Sequence, residues 1–228
     1  MSDDALVREC LRVYRRYAVE IVEALDFCPY AARCREEART REVVVLAREL
    51  DLDRALAEVA PLAEDTQIEV ALMIWPRARC TRLELARFVE RLRSAHQAAP
   101  GGLVMAMEGF HPEADADLRG PERLVPFVRR TPDPTIQLVR HAVLDRVRRA
   151  APSGTAFFDP SRMSLDDLMR SPAPRPLHER IAEANHQTVQ RLTVERVQAS
   201  MDDILRDRDR AYAALGEPPR STGEPPDV

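Results

Sequence analysis

Apolar residues at helical spacing open the chain. Leu6, Val7, Cys10, Leu11, Tyr14, Ala18, Ile21, Val22 and Leu25 form one stripe, which predicts a long amphipathic helix over Leu6–Leu25. Phe27-Cys28-Pro29-Tyr30 ends it, because proline drives the residue before it away from helical backbone, and a short helical stretch, Ala31–Arg39, follows. Three nearly continuous apolar runs, Glu42–Ala47, Ile68–Trp75 and Leu103–Phe110, read as strands buried on both faces. The segments between them, Leu52–Ala63 and Thr81–Gln97, have helical periodicity. Strand–helix–strand, repeated, implies right-handed crossovers and therefore parallel neighbours.

Beyond Phe110 a polar stretch runs to about Arg130 and reads as an ordered loop. Asp133-Pro134 has the form of an N-cap followed by proline at the first helical position, which predicts a helix to about Ala150. Thr155–Phe158 could supply a fourth strand, and Leu177–Leu215 reads mainly as one long helix. Gly216–Val228, rich in proline and charge, reads as a solvated tail. The expected architecture is α/β: a small, mostly parallel sheet of three to four strands flanked by helices, with long N- and C-terminal helices. It forms one domain over residues 1–215 and a disordered tail over 216–228.

Composition narrows the function classes. At 228 residues and 45% apolar, the chain is long enough for a sizeable core. A net charge of −4 gives no support for nucleic acid or an anionic membrane as partner. All 34 basic residues are arginine, so no Schiff-base or phosphate-loop lysine exists. The start of the chain has no signal-peptide pattern and no window is apolar enough to span a bilayer, so a cytoplasmic location is expected. The four cysteines, Cys10, Cys28, Cys34 and Cys80, form no CxxC pair and are expected to be free thiols, with no structural zinc site.

Candidate chemistry gathers where strands end, since ligands of open parallel sheets collect at the carboxyl edge. Trp75 and His111 close two of the predicted strands and would share one rim, Trp75 as a ligand-facing ring or a core anchor, His111 as acid/base or as a turn-stabilising side chain. Arg129-Arg130-Thr131-Pro132-Asp133-Pro134-Thr135 sets two guanidinium groups and hydroxyls beside a predicted helix N-terminus, which suits an anion or, equally, a structural clamp. Arg140 falls inside the apolar stripe Ile136, Val139, Val143 and Val147, so it must snorkel, find a buried carboxylate or face a ligand anion. Cys28 is either a packed hydrophobe or a nucleophile needing a base such as His111. A metal reading would join Cys28 and His111 to Glu108 or Glu113, though no spacing demands it. His141, His178 and His186 have polar helical surroundings and read as solvated or interfacial.

These segments also carry a likeness. Leu25-Asp26-Phe27-Cys28-Pro29-Tyr30-Ala31, Phe110-His111-Pro112 and the block from Arg130 to Arg140 resemble, in that order, three elements of a family catalogued as domain of unknown function fourteen-fifteen. Asn185 and Thr188 fit a weaker C-terminal element. The likeness spans about Arg8 to Leu205 and implies a role for Cys28, His111, Arg130, Thr131, Thr135 and Arg140, but no particular activity. Gln137 stands where the family usually has histidine, and Arg129 and His141 where asparagine and glutamate are usual.

The leading expectation is an enzyme-like domain acting on a small anionic metabolite. Arg130 and Arg140 would hold the anion, with Trp75, Thr131 and Thr135 beside it, His111 as acid/base and Cys28 as nucleophile or redox group. A noncatalytic small-molecule, cofactor or metal-binding module is the alternative. A third is an interaction domain using a stripe of Leu192, Val197 and Leu205 on the C-terminal helix. No cofactor and no oligomeric state is legible.

Overall fold

The computed structural model describes residues 3–99, 104–149 and 177–219. The chain opens with α1 (Asp3–Tyr17), which runs on as a π-helical stretch over Ala18–Glu23. A turn with Asp26 at φ 54° leads through Cys28-Pro29 into the short α2 (Ala31–Glu36). Then come β1 (Thr40–Val44), α3 (Leu52–Glu64), β2 (Val70–Ile74), α4 (Arg82–Ala98) and β3 (Met105–Phe110). The two crossover helices start where their side chains cap them. Asp51 accepts the Arg54 amide at 2.7 Å, and Thr81 and Glu84 form a reciprocal capping box.

After β3 the structure departs from the expected order. The polar stretch holds a helix, α5 (Pro121–Val128), and the segment beginning at Thr135 is a strand, β4 (Thr135–Arg140), before α6 (His141–Arg149) begins. Asp133 does not cap a helix. Its carboxylate is taken by side chains elsewhere in the fold, and Thr135, Ile136 and Val139 are β-branched residues suited to a pleated surface. Ile136 and Leu138, two apart, are the fully buried apolar positions, with the half-buried Gln137 and Val139 alternating with them, so the period that governs this segment is two.

β4 also corrects the sheet. The strand order is β1-β2-β4-β3, with β1 and β2 parallel and β4 antiparallel to both β2 and β3. The α/β class stands, but the sheet is mixed rather than mostly parallel. β1, β2 and β3 still point the same way, as the crossovers require, because β2 and β3 are each antiparallel to the strand between them. The expected strand at Thr155–Phe158 and the residues of the tail beyond Pro219 lie outside the described residues.

Each face of the sheet carries its own core. Ala71 and Met73 of β2, Trp75 just beyond it, Met105 and Met107 of β3, and Ile136 and Leu138 of β4 pack under α3 and α4. α4 lies so close that a Cβ on Gly109 would meet Leu85 Cγ and Val89 Cγ2 at 3.3 Å. Leu72 and Ile74 face the other way, onto α1, α5 and the two C-terminal helices, α7 (Leu177–Leu192) and α8 (Val194–Ala214). The expected single C-terminal helix is broken at Thr193, a β-branched residue at φ 73° that caps α8 through the Arg196 amide. Of the stripe expected for docking, Val197 is buried and Leu192 packs against the same core, while Leu205 is half-buried. No helix among the described residues is long and apolar enough to cross a membrane.

One buried ion pair ties these parts together. Asp133 Oδ1 accepts from Arg208 Nε at 2.9 Å and Nη2 at 2.7 Å, and Oδ2 accepts from the Tyr212 hydroxyl at 2.8 Å. Arg208 also donates to Pro76 O at 3.1 Å and lies over the Tyr212 ring. Both charges are almost wholly buried, so removing one leaves the other desolvated without a counter-charge. We expect Asp133→Asn to lower the unfolding free energy by about 3–5 kcal/mol. Asp207→Asn, which touches the more solvent-exposed Arg12 and Arg16, should cost no more than about 1 kcal/mol. Urea denaturation of the two variants checks this; equal losses would contradict it.

Candidate functional site

Most of the side chains singled out from the sequence are occupied in holding the fold. Trp75 is a core residue, 1% exposed, with its ring edge-on to Phe88 at 6.3 Å. His111 is buried, with Nε2 at 2.8 Å from Cys80 O and Nδ1 accepting the Glu113 amide at 3.1 Å. An amide donor at Nδ1 and a carbonyl at Nε2 select the neutral tautomer protonated on Nε2, and both ring nitrogens are used. The imidazole is a clip between the loops after β2 and β3.

The motif block tells the same story. Thr131 and Thr135 are fully buried, and both hydroxyls donate to Asp133 O, at 2.7 and 2.8 Å. Arg130 donates to Pro112 O at 2.9 Å and to Gln198 Oε1 at 2.5 Å, with Asp202 beyond, and so joins the end of β3 to α8. Arg140 sits at the far end of β4: Thr135 pairs with Phe110, whereas Arg140 pairs with Met105 at the start of β3. There its guanidinium donates to the carbonyls of Leu62, Ala63, Asp65 and Ile68, closing the C-terminus of α3. It is therefore neither on a helical stripe nor on the rim that His111 occupies.

Neither ring nitrogen of His111 is bonded to Cys28, since one meets Cys80 O and the other the Glu113 amide. Gly109 faces α4 and His111 bonds to the loop leading into that helix, while Phe110 turns to the opposite face. It is on this opposite face that Cys28 belongs, beside Tyr14 and Tyr17 of α1. Burial pushes the Cys28 thiol up, while the amides of Tyr30 and Ala31 and the charge of Arg129 pull the other way without prevailing. A neutral thiol without a nearby base is a poor nucleophile. Among the described residues no group of three or more His, Cys, Asp and Glu side chains is gathered to hold a metal ion.

Of the two guanidinium groups that the sequence offers for an anion, the expected site uses Arg130, but the one left without an acceptor among the described residues is Arg129. It ends α5, is half-buried, and lies over the Phe110 ring at 5.3 Å, close enough to Cys28 and Tyr17 to act on both electrostatically. Among the described residues its guanidinium has no hydrogen-bond acceptor and no ion pair, although its neighbour Arg130 is fully engaged. Asn185 of α7 donates from Nδ2 to Phe27 O at 3.2 Å, one residue before Cys28, and its Oδ1 is buried without a donor. The signal was available only as the doubled arginine Arg129-Arg130; nothing in the sequence says which of the two is tied down. The Cys28 segment, Phe110 and Arg129, the residue just before the motif block, thus meet on the helical face that carries α1, α5, α7 and α8, with Asn185 bracing the first.

His141, expected to be solvated or interfacial, is half-buried, with Nε2 buried without a partner near His96, whose own charged form is disfavoured by burial and by that neighbour.

A family described as Protein of unknown function (DUF1415) matches residues 10–160, well over half of the chain. No curated protein and no solved structure matches it.

Because burial outweighs the Arg129 charge at Cys28, we expect its alkylation by iodoacetamide to be slow at neutral pH and still rising at pH 9. Cys80, pushed up to about 11 by burial and by Glu84, should lag further. Mass-mapped alkylation rates across pH check this, and a Cys28 rate that levels off near neutrality would restore an activated nucleophile.

Proposed function

We propose that this chain, which belongs to the DUF1415 family of proteins of unknown function, binds a small organic carboxylate at Arg129, on the helical face of its sheet. The observation that carries the reading is the half-buried Arg129 guanidinium left without an acceptor. Removing a cation from water costs free energy that a carboxylate can restore through two parallel N–H···O bonds. One guanidinium matches one negative charge. Phe110 beneath it and Tyr14 and Tyr17 nearby favour a weakly hydrated monoanion over a strongly hydrated phosphate. The Cys28 thiol, kept protonated, would serve as a hydrogen-bond donor to the ligand rather than as a nucleophile.

This reading is the noncatalytic one. An enzymatic reading with Cys28 as nucleophile and His111 as base has less support, since His111 spends both ring nitrogens on backbone groups. Arg130 and Arg140 are likewise spent on protein acceptors, which leaves Arg129 as the anion-holding group.

The test is calorimetric titration with acetate, pyruvate and benzoate, with sulfate as the dianion control. At least one carboxylate should bind more tightly than sulfate, and Arg129→Gln should weaken that binding by about tenfold or more, as expected for a charge-assisted bidentate pair. Arg140→Gln should lower stability without changing the affinity of the folded protein. Carboxylate binding unchanged in Arg129→Gln would overturn the proposal.

A further inference from the structure

A second concave site lies on the other face of the sheet, where β1 and β2 end. It is a hollow of about 340 Å³ between the loop after β1, the loop after β2 and the first turns of α4. Four arginines line it: Arg48 from the first loop, Arg79 from the second, and Arg87 and Arg91, one helical turn apart on α4. Phe88, buried against Trp75, and Leu50 form its apolar wall.

The charge in this hollow is poorly balanced from within. Arg48, Arg87 and Arg91 make no hydrogen bond and no ion pair among the described residues. Two carboxylates, Glu49 and Glu84, also line it, but Glu84 is turned back onto the Thr81 amide and hydroxyl at 2.7 and 2.9 Å in the cap of α4. Arg93, which leaves α4 on the flank toward β3, shows the contrast: it pairs with Glu90 and donates to Met107 O. Guanidinium groups from three separate segments converging on one concavity repel one another and focus a positive field, on a chain whose net charge is −4.

We infer that this hollow is a binding site for a small molecule carrying a diphosphate group. Arg87 and Arg91 on one wall and Arg48 and Arg79 on the other supply two pairs of forks, of which Arg79 already donates through Nη2 to Pro219 O at 3.1 Å. Guanidinium forks bind phosphoryl oxygens bidentately, and a diphosphate has enough terminal oxygens to engage both pairs, which a single carboxylate has not. Phe88 and Leu50 would accept an organic substituent on the diphosphate. The site is independent of Arg129, which lies on the opposite face.

The experiment is calorimetric titration of the full chain, in about 0.15 M salt, with inorganic pyrophosphate, ADP and short poly-glutamate. Pyrophosphate should bind with a micromolar dissociation constant, and Arg87→Gln/Arg91→Gln should weaken it by about tenfold or more. Arg48→Gln should weaken it in the same direction, and Arg129→Gln should leave it unchanged. These arginines are exposed, so the variants should keep the parent melting temperature. Tighter binding of ADP than of pyrophosphate would support use of the apolar wall; equal binding would support recognition of the diphosphate alone. No pyrophosphate binding at about 1 mM, unchanged binding in the double variant, or displacement of pyrophosphate by poly-glutamate at equal charge would overturn the inference.

Discussion

The buried pair between Asp133 and Arg208 is the constraint on which the rest of the fold depends. Two charges so fully removed from water must satisfy one another, and doing so dictates where three separate pieces of chain can lie. Arg208 and Tyr212 bring the last helix against the sheet, Pro76 O fixes the end of β2, and the Asp133 carbonyl gathers the hydroxyls of Thr131 and Thr135. The turn so formed delivers Pro134 O to the Trp75 amide at 2.9 Å, and β4 is thereby threaded between β2 and β3.

A smaller pair of clamps does the same at the other end of the sheet. Arg140 stitches the end of α3 to β4, and Glu69, itself buried, draws in Arg33 and Arg39 at 2.6 and 3.0 Å to set α2 against the start of β1. In a chain whose basic residues are all arginine, bidentate and multiply donating side chains are the available means of joining segments, and the fold uses them at each edge.

Much of this was legible in advance, and the exceptions have physical causes. Strong periodicity made α1, α3 and α4 readable. The segment from Thr135 to Val147 was ambiguous because its apolar residues satisfy a period of 3.6 and, over the first six residues, a period of two; only the long-range partners of Asp133 decide between them. The break at Thr193 depends on a positive φ that no sequence pattern announces. At the proposed site, the likeness points to the segments that surround Arg129, and the arginine and threonine side chains it names are engaged with the protein's own groups. Its charged and hydroxyl residues are most prominent where they hold the structure, while Arg129, one position before the motif block, is left with its charge unspent.

The central claim is thus a division of labour: Arg130 and Arg140 hold the fold, and Arg129 meets the ligand. It is tested most directly by following arginine side-chain Nε–Hε resonances during titration with the best-binding carboxylate. The account predicts a saturable shift at Arg129 while Arg130 and Arg140 stay in place. Movement of Arg140 or Arg130 with Arg129 unmoved would contradict it and return the motif block to the role of the binding site.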